Sequence, residues 1–153
     1  MKEVLFKLNE FCGANRIEYA VTGTTALSLL GVPSGFVPQD IDIKVFHLTE
    51  EQAKKLEELQ FLSGLKNENY DSEQCFSFIV DGIKINAIID KTKSYDEICS
   101  QNVCINYVDE KRKKHHLINV QLVKLALADK MKLNRSKDKT YLIDLIHNLT
   151  SRC

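Results

Sequence analysis

The alternation of apolar and polar positions divides the chain into short elements that mix two periodicities. From Lys2 to Gly13, Val4, Leu5, Leu8, Phe11 and Cys12 recur at spacings of three and four, opposite Lys2, Glu3, Lys7 and Glu10. That spacing puts the apolar residues on one face of a helix, which Gly13 or Asn15 would end. Tyr19–Thr22 is a short apolar run, read as a strand, entering Gly23. Residues 24–30 are helical in pattern and stop at Gly31. Residues 32–39 hold Gly35 and both prolines, and are expected as a loop. In residues 40–46, DIDIKVF, strict alternation marks a second strand with Ile41, Ile43 and Val45 on one face.

The pattern continues in the same way. Thr49-Glu-Glu-Gln52 has the form of a capping box, opening a helix over residues 50–62 with Ala53, Leu56, Leu59 and Phe61 or Leu62 inward. Residues 63–72 are polar and expected as a loop. Two apolar runs, 75–80 and 83–89, flank Asp81-Gly82, a strong signal for a β-hairpin. A further strand is expected at 103–108, the charged run 109–116 as a solvated turn, and a short strand at 117–120. Helices are expected over 121–133 and 141–149, the latter with Leu142, Leu145, Ile146 and Leu149 on one face, separated by a polar break at 134–139. At this length the elements are expected to form a single domain over residues 1–153.

Composition narrows the function classes. The chain has 153 residues, 44% hydrophobic and 27% charged, as in an ordinary water-soluble domain. Lys plus Arg equals Asp plus Glu at 21 each, so the formal net charge is zero. No strong DNA binding is expected from a chain without net positive charge. No apolar run approaches the roughly 20 residues that cross a bilayer. Glu3 and Glu10 interrupt the N-terminal segment, which does not read as a signal peptide. The five cysteines lack CxxC spacing, so thiols in a reducing cytoplasm are expected rather than a zinc site. His115 and His116 are read as polar residues near a turn.

The candidate chemistry lies in residues 21–46. Asp40 and Asp42, two apart on a strand, point the same way about 6.7 Å apart along the backbone. Two ionised carboxylates on one face of an apolar strand suit a divalent cation such as Mg²⁺, with phosphate oxygens completing its shell. The alternative is an edge strand with both acids solvated. Upstream, Gly23 at a strand-to-helix turn lets backbone approach a ligand, and Thr24 adds a hydroxyl; glycine at such a turn can equally be steric.

Taken in order, Val21-Thr22-Gly23-Thr24, fifteen residues, then Asp40-Ile41-Asp42-Ile43 resembles the nucleotidyltransferase-fold superfamily, which includes polymerase-beta-like enzymes. Gly23-Thr24-Thr25-Ala26-Leu27 is most similar to the small stand-alone, toxin-type and abortive-infection members. The second motif residue is Thr where the family has Gly or Ser, and the spacing is slightly long. Gly82-Ile83-Lys84-Ile85 matches a late family strand, but Asn86 stands where the family has its third carboxylate. Lys130, Arg135 and Lys137-Asp138 match the order of basic and acidic residues in the family's C-terminal helices.

The resemblance implies a single α+β domain, a mixed sheet flanked by helices with the C-terminal helices packing on it, and Mg²⁺-dependent transfer of a nucleotidyl group from an NTP, ATP among them, to a hydroxyl of a protein, an RNA or a small molecule. It implies phosphate contacts from Gly23, Thr24, Lys130 and Arg135, and metal ligation by Asp40 and Asp42. A two-metal site is one version, and a single ion suits the Asn86 substitution better, since an amide carries no charge and is no base. The second expectation is a nucleotide-binding or protein-interaction module weakened in catalysis by Asn86. With no separate domain for the acceptor, a protein partner or a homodimer mate is expected to supply its recognition.

Overall fold

The computed structural model describes residues 1–66, 68–70 and 73–150. Among them the chain runs α1 (Lys2–Ala14), β1 (Glu18–Thr22), α2 (Gly23–Leu29), β2 (Asp40–Phe46), α3 (Glu50–Leu62), β3 (Glu68–Tyr70), β4 (Glu73–Val80), β5 (Ile83–Asp90), α4 (Tyr95–Gln101), β6 (Asn102–Asp109), β7 (Lys114–Gln121), α5 (Val123–Leu133) and α6 (Ser136–Thr150). The strands form one seven-stranded mixed sheet in the order β3-β4-β5-β2-β1-β7-β6. β2 lies inside it, antiparallel to β1 and parallel to β5. The architecture is the expected α+β one.

Alternation gives the sheet two unlike faces. Ile41, Ile43 and Val45 of β2 share one face with Val21, Ile85, Ala87, Phe78 and Val120, and α1 and α3 cover it through Leu5, Leu8, Cys12 and Leu56. Burying these side chains is the main source of stability, at about 1.5–3 kcal/mol for each large one. The opposite face bears Asp40, Asp42 and Lys44. It is covered only in part: Ala20 and Phe46 pack under Ile98 of α4, while α2, α5 and α6 meet in a separate cluster of Leu27, Ala126, Tyr141 and Leu145. The acidic positions are left between these two patches.

Local signals explain several elements. Thr49 and Gln52 form the capping box, and Gln52 also donates to the carbonyls of Asn15 and Arg16, tying the start of α3 to the turn after α1. Asp81 and Gly82 both have positive φ, 48° and 78°, which suits the tight hairpin joining β4 and β5. Asp81 also pairs with Lys7 at 2.6 Å.

Other expectations need correction. β7 begins at Lys114, so only residues 110–113 turn, with the Asp109 carboxylate accepting from the N–H groups of Lys111 and Arg112. His116 is a buried strand residue, stacked on Phe6 at 4.4 Å; the charges around it masked the inward series His116, Ile118, Val120. His115 points outward to Asn106. Within residues 63–72, expected as loop, 68–70 form β3 against β4, while 67, 71 and 72 lie outside the described residues. Residues 95–101 form α4, which no expectation covered, although Ser94 and Glu97 make a capping box. Gln121 ends β7, and α5 starts at Val123.

Two helix faces also differ. Phe61 and Leu62 are exposed, and Gln60 turns inward to accept the N–H of Ser77. The break after α5 shrinks to Asn134, in the left-handed conformation, and Arg135. α6 starts at Ser136 and buries Asp138, Tyr141 and Leu145, leaving Ile146 and Leu149 exposed. An ionised residue on the inward face hid this helix's first turn. Of the cysteines, Cys12 and Cys75 are buried, Cys99 and Cys104 exposed, and Cys153 lies outside the described residues. Burial pushes the Cys12 thiol up to about 12. No described helix is long and apolar enough to cross a membrane.

Candidate functional site

The partly covered face of the sheet floors a cleft of about 980 Å³, with α2 at its head, α5 and the start of α6 along one wall, and residues 36–39 on the rim. Gly23, Thr24, Asp40, Asp42, Asn86, Lys130 and Arg135 all line it. The fold thus brings these seven residues, and Lys137 with them, to one place, while Asp138 lies buried behind the wall.

Register sets the floor. Thr22 of β1 pairs with Asp42, and Asp42 pairs with Asn86 of β5, so the three side chains stand in a row on one face. Asn86 donates its amide N–H to Asp42 Oδ1 at 2.8 Å. Its carbonyl accepts the Ser77 hydroxyl at 2.8 Å. An ionised carboxylate only accepts, so this is the amide orientation that avoids two opposed acceptors. Asp40, one step up the strand, is exposed, and Thr25 holds its backbone carbonyl at 3.1 Å. Asp90, the acid that ends β5, accepts from the backbone and hydroxyl of Thr92.

Gly23 has φ +65°, a conformation that side chains resist. A Cβ there would also come 3.3 Å from Asp42 Oδ2. Here the glycine has a specific reason: the turn passes close over the carboxylate.

The wall is basic and organised by one acid. Lys130 Nζ donates to Thr24 Oγ1 at 2.8 Å, lies 4.5 Å over the Tyr141 ring, and is 3.6 Å from Asp138 Oδ1. Arg135 grips the same carboxylate with two guanidinium bonds, Nε to Oδ2 at 2.7 Å and Nη2 to Oδ1 at 3.2 Å, and with its backbone N–H. Burial pushes the Asp138 carboxyl up, but the hydrogen bonds and charge of Arg135, with the Lys130 charge, outweigh it and hold the group below the usual range. Burial also lowers Lys130, helped by the charges of Arg135 and Lys137 and opposed by Asp138. Lys130 is therefore aimed at the head of the cleft, whereas the Arg135 guanidinium is largely committed to Asp138.

The chain aligns over 95% of its length with 91% of a candidate nucleotidyltransferase from Thermotoga maritima, at a TM-score of 0.59 and 20% identity. It aligns over the same share with 73% of an antigenic nucleotidyltransferase-like protein from Paracoccidioides brasiliensis, at a TM-score of 0.53 and 13% identity. The fold is that of the nucleotidyltransferases. No family profile matches the chain, and no curated protein matches it in sequence. Identity this low speaks for the nucleotidyltransferase fold alone.

On that fold the floor holds two carboxylates and an amide. Among the described residues no group of three or more His, Cys, Asp or Glu side chains is placed to hold a metal ion. Three contributors escaped the sequence reading: Ser77, which orients Asn86; Asp129, which accepts from Gln121 and pairs with Lys44 at 3.7 Å along the cleft; and Tyr141 under Lys130. Ser77 lies between Phe76 and Phe78, and Tyr141 follows the polar run that ends at Thr140, so neither position announced a site. Asp129 had a signal in its place beside Lys130.

Proposed function

We propose that the chain binds a nucleoside triphosphate with one Mg²⁺ in this cleft and transfers the nucleotidyl group to an acceptor hydroxyl: the acceptor oxygen bonds to the α-phosphorus, the bond from that phosphorus to the β-phosphate breaks, pyrophosphate leaves and the hydroxyl proton passes to solvent. The observation that carries the reading is the placement of Lys130 Nζ on Thr24 Oγ1 in the same cleft as Asp40 and Asp42. One wall thus offers a cation and a hydroxyl to phosphate oxygens, and the floor offers two carboxylates. Asp40 and Asp42 would hold the ion, and their pairing is within the one or two carboxylates that Mg²⁺ uses alongside phosphates. When bound, Mg²⁺ neutralises phosphate charge and so favours attack at phosphorus.

The chain's own contributions follow from the geometry. Lys130 neutralises a further phosphate charge, and its desolvation strengthens that interaction. Thr24 donates its hydroxyl, and Gly23 lets the backbone pass close to the ligand. Asn86 can orient Asp42 but cannot take the acceptor's proton. The acceptor would be a protein, an RNA end or a small molecule, with a partner or a second copy supplying its recognition.

A second reading is favoured by the Asn86–Asp42 hydrogen bond itself. An amide held against the carboxylate suits binding without efficient transfer, and the chain would then act as a nucleotide-dependent module through a protein partner.

Thermal melting with ATP and GTP, with and without Mg²⁺, tests the shared part: a Mg²⁺-dependent rise in melting temperature is expected by mass action, and none for any NTP would refute both readings. Incubation with labelled NTPs and candidate acceptors separates them. Transfer lost in Asp42→Ala marks the enzyme; binding without transfer, converted to transfer by Asn86→Asp, marks the module.

A further inference from the structure

The loop between α2 and β2 is anchored at a distance. Pro33 and Pro38 restrict its backbone. Asp144 of α6 gathers its middle: one carboxylate oxygen accepts the Ser34 hydroxyl at 3.2 Å and the Gly35 N–H at 2.8 Å, and Asn148 donates to the same oxygen at 3.1 Å. The Phe36 ring leans on the Tyr141 ring at 5.7 Å between centroids and 51° between planes. Held in this way, the loop presents two apolar side chains to the cleft, Phe36 at 40% and Val37 at 81% exposure. Ile88, Cys75 and Tyr141 also line the cleft but are buried. Pro38 and Leu133 of α5 are half-buried in the lining, so the most exposed apolar side chains of the cleft sit on one rim.

A nucleoside triphosphate is polyanionic at one end and an aromatic plane at the other. The cleft has the matching asymmetry, with Lys130 and Thr24 at its head and the apolar rim on a different element. Resting on the nucleotide reading above, we propose that Phe36 and Val37 form the nucleobase subsite, holding the base by its face. Tyr141 buttresses Phe36 from below, and Asp144 keeps the platform in place before the ligand arrives, which reduces the ordering cost of binding. Stacking on an aromatic face accepts any base, because every base has a π-face. The subsite therefore selects for a nucleotide over a bare polyphosphate, with little discrimination among bases.

Calorimetric titration of the full chain with Mg–ATP, Mg–UTP and Mg–tripolyphosphate tests this. Wild type should bind both nucleotides more tightly than tripolyphosphate. Phe36→Ala should weaken ATP by about tenfold, the scale of one lost stacking contact, and leave tripolyphosphate unchanged. Phe36→Trp should keep ATP affinity, and an unaltered tripolyphosphate titration shows that a variant is folded. The subsite is overturned if Phe36→Ala leaves ATP unchanged, if it weakens ATP and tripolyphosphate equally, or if wild type binds tripolyphosphate as tightly as ATP; in each case the phosphate and metal reading stands. If neither nucleotide nor tripolyphosphate binds wild type, that reading falls and the subsite with it.

Discussion

At Asn86 one atom decides between attraction and repulsion. Its amide nitrogen donates to Asp42 in a pair that a carboxylate would turn into two like charges in contact. Asn86→Asp should therefore lower stability in the presence of a chelator by about 2 kcal/mol, from the lost charge-assisted bond and the added repulsion. Mg²⁺ should restore most of it, and melts with and without the ion check both halves. Asp138 sets a second expectation. Its folded-state pKa lies below the ordinary 3.8, so its contribution is fully present above about pH 4 and is lost as pH falls through the folded value. Asp138→Asn should remove that acid-side slope and cost about 3–5 kcal/mol, because Lys130 and Arg135 lose their counter-ion. Lys130 acts at the other end. Its pKa is lowered from 10.5, so the unfolded chain binds the extra proton and stability rises with pH between the folded value and 10.5. Denaturant titrations across pH read both slopes.

Among the elements, α3 shows how a single side chain can serve two purposes. Gln52 closes the capping box on Thr49 and also bonds the carbonyls of Asn15 and Arg16. Gln52→Ala should cost about 2 kcal/mol, more than a cap alone, and Thr49→Ala about 1 kcal/mol, as read from equilibrium unfolding. Elements of this kind were legible in the sequence because their signals are local. The hairpin turn at Asp81-Gly82, the alternation of DIDIKVF and the Thr49 cap each need only a few adjacent residues. What stayed hidden depended on distant partners. His116 reads as surface until Phe6 is laid against it, and the first turn of α6 reads as a polar break until Asp138 meets Arg135 and Lys130. The site followed the same rule. Gly23, Thr24, Asp40, Asp42 and Lys130 were visible as motifs and Ser77, Asp129 and Tyr141 were not, while the Asn86–Asp42 bond needed the β2–β5 register and the pairing of Arg135 with Asp138 needed the turn at Asn134.

On the scale of the whole molecule, the sheet separates two environments. The face under α1 and α3 is closed and apolar; the other is covered only in patches, with the cleft between them. A ligand in that cleft should protect one side selectively. With Mg–ATP, amide hydrogen exchange through local opening should slow in α2, residues 32–39, α5 and the first turns of α6, beyond the slowing that mass action gives every amide exchanging through global unfolding, those of α1 and α3 included. No excess protection in those segments would count against the cleft as the site.

The contacts that complete the cleft join positions far apart in the chain: Thr24 to Lys130 and Ser34 to Asp144, with separations of 106 and 110 residues. During synthesis at about 5–20 residues per second, the acidic strand leaves the ribosome many seconds before the lysine that faces it. Until α5 and α6 emerge, the nascent chain carries its two carboxylates without the basic wall. On the proposed reading, the cleft could hold a triphosphate only once α5 and α6 have been made, and a chain cut short before α5 would lack that ability.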